Sequence, residues 1–155
     1  MKMTRDMLFL ILAGLLLSSA ALAQSHTPGG MPPPSGMSLA QSNAMRFPQP
    51  VRVRDLLHRT VLQPVESQTV LGEVTQLVRD PAGTIDVVLA YGGFLGIGRR
   101  PIAVPLDATV LLGADMEIVA YTPQQLRRLP TFSETGSTPV PPDTVVRVGL
   151  AKPSH

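Results

Sequence analysis

Apolar residues become dense at Val51 and stay so to Phe132, in short runs that alternate with polar positions. Thr60 to Leu62 and Thr69 to Val78 are rich in Val and Thr and predict strands. Before them, Leu56 and Leu57 sit between Arg54, Asp55 and Arg59, so Val53 to His58 predicts a short helical turn or an extended lead-in. Asp80-Pro81-Ala82-Gly83 predicts a turn, because Pro81 presets φ and Gly83 accepts the positive φ that closes it. From Thr84 to Tyr91 the alternation is regular, with Ile85, Val87, Leu89 and Tyr91 on one face and Asp86, Val88 and Ala90 on the other. Strand, turn and strand make a hairpin. A glycine-dense loop, Gly92 to Gly98, leads into a further strand carrying Ile102, Val104 and Leu106. Met116, Ile118 and Ala120 then alternate with Glu117, Val119 and Tyr121 on the last strand of the series.

One helix start is clear. Thr122 can cap, Pro123 suits the first helical position and Gln125 completes a capping box. The helix is short: Leu126 and Leu129 face the sheet, Arg127 and Arg128 stay solvated, and Pro130 stops it. Ser133 to Pro142 turns linker-like, and Val145 to Val148 either adds a late strand or stays loose. Several short strands with Gly- and Pro-rich turns and no long amphipathic helix define an all-β class, a small barrel or sandwich. Closure would also hide strand edges.

Ahead of this domain the pattern changes twice. Lys2 and Arg5 precede an apolar run from Met7 to Leu17, and Ala21-Leu22-Ala23 supplies small residues before Gln24, the three parts of an export signal. Cleavage is expected between Ala23 and Gln24. The apolar run is interrupted by Ser18 and Ser19, well short of the roughly 20 residues that span a bilayer, so no transmembrane segment is expected after cleavage and the chain reads as periplasmic. From Gln24 to Pro50, six prolines interspersed with Gly29, Gly30 and Gly36 describe a flexible tether that cannot repay its ordering entropy by burial. The expected division is therefore signal 1–23, tether 24–50, domain 51–132 and Pro-rich tail 133–155.

Composition narrows the function. Cleavage would take two basic residues and one acidic residue from a chain of net +2, leaving +1, which is no footprint for nucleic acid. There is no cysteine, so disulfides, thiol chemistry and cysteine zinc sites are excluded.

With the strands placed, Gly92-Gly93-Phe94-Leu95-Gly96-Ile97-Gly98 followed by Ile102-Ala103-Val104-Pro105-Leu106 resembles the signature of the PRC-barrel family, whose members are similar to the cytoplasmic part of the photosynthetic reaction centre H subunit. Leu71-Gly72-Glu73-Val74, Asp80 with Gly83, and Thr122, Gln125-Leu126 and Pro130-Thr131-Phe132 match further motifs in order. The sequence departs from the pattern at Leu106, where Phe is common, and at Gln63 to Gln68, where Pro64 and Glu66 replace an Asp-Gly turn. The resemblance implies a small PRC-type barrel with one short C-terminal helix, used as an adaptor rather than as an enzyme.

The chemistry-bearing residues agree with no catalytic reading. Gly93 and Gly98 have Walker-like spacing, but Arg99 and Arg100 stand for Lys and Ser or Thr, and Pro101 opens a strand where a phosphate loop needs a helix. A dinucleotide site lacks its third glycine. His26, His58 and His155 are too far apart in sequence to form a metal motif. Met31, Met37 and Met45 with His26 are soft ligands that define a copper-handling alternative, widely spaced in the tether. Glu73, Asp86, Asp107 and Glu117 are expected on solvated strand faces, and no serine sits in a nucleophile elbow, so a hydrolase is the other alternative, with no site to name. The expected function is docking of a protein or envelope component, without cofactor or metal. Phe94, Leu95 and Ile97, with Arg99 and Arg100 at the rim, are expected to be either the barrel's plug or its partner contact.

Overall fold

The computed structural model describes residues 38–63, 69–93 and 97–151. Among the described residues, nine strands and two six-residue helices, α1 (Leu39–Ala44) and α2 (Pro123–Arg128), make up an all-β domain. The strands are β1 (Gln49–Arg52), β2 (Thr60–Leu62), β3 (Val70–Arg79), β4 (Ile85–Tyr91), β5 (Arg100–Pro105), β6 (Thr109–Leu112), β7 (Asp115–Ile118), β8 (Thr138–Pro139) and β9 (Val145–Leu150). They form one mixed sheet in the order β1-β9-β6-β7-β2-β3-β4-β5, with β8 added alongside β3. The β2–β7 and β6–β9 pairs are parallel and the rest antiparallel.

The centre is the β3–β4–β5 meander. The turn between β3 and β4 forms as its chemistry dictates: Gly83 takes φ +89° and donates to the Asp80 carbonyl at 3.0 Å, while the Asp80 carboxylate accepts from the Thr84 N–H at 2.8 Å. Val87, Leu89, Ile102 and Val104 enter a single buried cluster with Val61, Val74, Leu77, Met116 and Ile118. Leu106, in a 3-10 turn after β5, is buried as well, so the smaller side chain at that position still fills core space.

Both ends of the sheet carry prolines in the harmless phase. The Pro101 carbonyl accepts from the Phe132 N–H at 2.8 Å, so it faces away from β4; Pro105 shares that phase, and neither position owes the ladder an N–H. On β1 the Val53 N–H just beyond the strand bonds to Thr144, which turns the backbone of Pro50 outward in the same manner.

The folded unit is longer than 51–132 on both sides. Residues 38–50, expected in the tether, supply α1 and half of β1. Ser38 and Gln41 form a reciprocal capping box, and Asn43 is buried with its amide donating to Asp107 at 2.8 Å. Residues 133–150, expected as a tail in which Val145 to Val148 either adds a late strand or stays loose, supply β8 and β9, and Val140, Val146 and Val148 join the core. β6 was not legible as a separate strand, β7 ends at Ile118 so that Ala120 lies outside it, and α2 is neither the only helix nor the last element. Residues 64–68, where the sequence departs from the family's first turn, lie outside the described residues, as do 1–37 with the leader and Ala23-Gln24. Among the described residues no helix is long and apolar enough to cross a membrane.

Candidate docking surfaces

The loop after β4 rises from a clamp. Arg100, first residue of β5, turns its guanidinium onto the C-terminal end of α2: one nitrogen donates to the Leu129 carbonyl at 2.7 Å, the other to Leu126 at 3.2 Å and Arg127 at 2.9 Å. The Arg127 and Leu129 carbonyls have no further turn of helix to bond them, the Leu126 carbonyl also accepts from the Leu129 N–H at 3.3 Å, and a fixed planar donor is suited to collect all three. The same group lies 5.5 Å from the centre of the Tyr91 ring, at the end of β4. Arg100 therefore joins both feet of the loop to α2 and is not a rim residue.

Ile97 and Arg99 stand beyond the clamp. Ile97 is 79% exposed, so it does not plug the domain. Arg99 is exposed beside it. Gly93 has φ +84° and a backbone so close to the Ile97 carbonyl that a Cβ would stand 2.8 Å from that oxygen, which requires glycine. Phe94 and Leu95, the other two apolar side chains of the expected plug or contact, lie outside the described residues.

A second feature was missed in the sequence. Asp86 lies on β4 between Val78 of β3 and Pro105 of β5, on the face that alternation assigns to solvent, yet that face is partly covered. A cleft of about 410 Å³ runs there, lined by Leu39 of α1, Asp80, Asp86, Asp107, Tyr121 and Leu129 among others. Burial, and secondarily the Asp80 carboxylate, push the Asp86 carboxyl up to about 6. Burial first, and the Asp86 charge second, also raise the Tyr121 phenol. The signal available was Val88: an apolar residue two positions along the supposedly solvated face, and fully buried, reports that both faces of β4 are covered.

The remaining candidate residues disperse. His58 is exposed, and its Nδ1 lies 2.8 Å from Glu73. Asp107 and Glu117 are half-buried rather than on an open face, Asp107 holding the Asn43 amide. Met45 is exposed at the end of α1; His26, Met31, Met37 and His155 lie outside the described residues. Among the described residues no three His, Asp or Glu side chains are grouped to hold a metal.

The third surface is the outer face of the β1–β9 ribbon. Val51 pairs with Val146 on the core side, which leaves Pro50 opposite Arg147 and Arg52 opposite Val145 facing out. Val145 is 58% exposed, and Phe47, at the head of the ribbon, is 76% exposed. No family model matches the chain, and no curated protein is significantly similar to it.

Proposed function

We propose that the chain is an exported, periplasmic docking domain of the PRC-barrel type, binding a protein or envelope component without catalysis. The observation that carries this reading is Ile97, held out at 79% exposure by a loop whose base is clamped to α2. A large apolar side chain costs free energy in water, and Ile97 lies three residues before the clamped Arg100, which shortens the segment that binding must order. Arg99 beside it supplies the polar rim that such contacts carry. The order of the glycine and strand motifs, from Leu71 to Phe132, and the three-part leader support the family and the compartment.

The test pairs Ile97→Asp with the unaltered chain. Both are melted, then used to capture components from an envelope extract. The variant should keep its melting temperature and lose the component that the unaltered chain retains; retention of that component by Ile97→Asp would refute the loop as the contact. Intact mass of the exported chain reads the compartment separately: the expected product begins at Gln24, and a mass that includes Met1 to Ala23 would overturn cleavage.

A further inference from the structure

The ribbon formed by β1 and β9 carries charge of one sign. Residues 24–54 contain Arg46, Arg52 and Arg54 and no Asp or Glu; residues 144–155 contain Arg147 and Lys152 and again no acid. The stretch between them, 55–143, holds ten acidic residues against six basic ones. β1 and β9, which lie within those two stretches, are 99 residues apart at the contact between Arg147 and the Pro48 carbonyl, and the fold pairs them as one two-stranded ribbon. Arg54 is paired at 2.8 Å with Asp143, the last acid of the intervening stretch, and Asp107, the nearest acid of the neighbouring cleft, is held by Asn43. The outward face of the ribbon thus presents Arg52 and Arg147 with Pro50 and Val145 between them.

Two exposed apolar side chains lie in the segment that leads into the ribbon. Met45 is 62% exposed and Phe47 76%, and the Leu150 N–H bonds to the Arg46 carbonyl at 2.8 Å, which ties the segment carrying both to the end of β9. Phe47 has φ +51°, a left-handed conformation that bulky side chains rarely adopt, and its ring gains no core contact in return. Strain spent on holding an aromatic ring in water points to something that the ring meets. A face with cations, continued by a segment that holds an aromatic ring in water, matches a bilayer interface, where the arginines meet anionic headgroups and the ring enters the headgroup layer.

We infer that the outer face of the β1–β9 ribbon docks on an anionic phospholipid bilayer. The inference rests on the reading of the domain as one that docks an envelope component, and it assigns the bilayer to a surface distinct from the Ile97 loop. An adaptor held at a membrane by one face leaves the other free for its partner.

Cosedimentation tests it, using the exported chain with its amino terminus fixed by intact mass, against vesicles of phosphatidylcholine alone and of an equimolar phosphatidylcholine–phosphatidylglycerol mixture. Association with the mixed vesicles should be at least about tenfold stronger and should fall steeply with added salt. Arg52→Glu should weaken it by about fivefold or more, since one basic residue near such a surface contributes roughly that factor. Phe47→Ser should weaken it as well, and both variants should melt with the unaltered chain. No association, equal association with both vesicles, or an Arg52→Glu chain that binds unchanged would overturn the inference. If vesicle binding fails while the Ile97 surface still retains its component, the docking reading stands and the bilayer is removed from it.

Discussion

Asp86 shows how far alternation along a strand can carry a single residue. Its parity is right, since Val87 and Leu89 face the core and Asp86 does not. What parity cannot give is whether the other face is wet, and here α1 and the end of α2 shelter it. A carboxyl raised from 3.8 to about 6 binds its proton more tightly in the folded chain than in the unfolded one. Its contribution to stability is therefore fully present below the unfolded value and is lost as pH rises through about 6. Urea unfolding should give a higher stability near pH 5 than near pH 7.5, by on the order of 1 kcal/mol after allowance for solvent screening of a half-exposed group. Asp86→Asn should remove that part of the pH dependence and gain stability at the higher pH; a variant with the original pH profile would show that another group is responsible. Gly72, in contrast, was legible as a motif residue without a reason. The reason is the β3–β4 ladder, where a Cβ at Gly72 would land on the Ala90 carbonyl oxygen. Gly72→Ala should cost roughly 1–3 kcal/mol in chemical denaturation, because the contact is with backbone that cannot swing aside.

At the scale of elements, two helices with the same chemistry were unequally readable. Thr122 and Gln125 form a reciprocal capping box, as their spacing predicts, and Ser38 and Gln41 form another with the same three-residue separation. The second was hidden by its surroundings: proline and glycine upstream read as tether, and Leu39 is the sole large aliphatic residue in the helix. β9 was half legible, as a late strand or a loose segment. Val145 to Val148 alternates plainly, but four residues give no sign of a partner, and its partners β1 and β6 lie far back in the chain. The Arg100 clamp had no sequence signature, because a side chain capping a helix 26 to 29 residues away depends wholly on tertiary placement. Arg100→Met retains the aliphatic stem and removes the guanidinium from three carbonyls, of which only Leu126 keeps another donor, the Leu129 N–H. Thermal and urea unfolding should report a loss of roughly 2–3 kcal/mol, in the range for hydrogen bonds from a charged group. Arg99→Met, in the exposed neighbour, should change stability by less than about 0.5 kcal/mol. Equal effects from both substitutions would dissolve the distinction between clamp and surface.

For the whole molecule, the decisive fact is that the last described strand closes the first. β1 pairs with β9 alone on the sheet path, and β9 also lies beside β6, so the sheet cannot keep its order without the segment after Phe132. Periodicity ends at Phe132 because Ser133 to Pro139 crosses the surface, not because the core is complete; Val140 returns to it first, its N–H bonded to the Leu77 carbonyl at 2.9 Å. A chain stopped at Phe132 would lose Val140, Val146 and Val148 from the buried cluster. Three buried valines represent roughly 5–9 kcal/mol of burial, comparable with the entire stability of about 5–15 kcal/mol expected of a domain. It would also strip the inner edge of β1 and one side of β6 of their hydrogen-bond partners, with nothing left to satisfy them. The shortened chain should accordingly show no cooperative unfolding transition by heat or urea, while a chain ending at Ala151, just past the bond from its N–H to the Leu111 carbonyl at 2.9 Å, should unfold as the full-length chain does. A cooperative transition of native-like amplitude in the chain ending at Phe132 would mean that β9 is an accessory to the sheet, and that the β1–β9 ribbon could form and dissolve on a domain that stands without it.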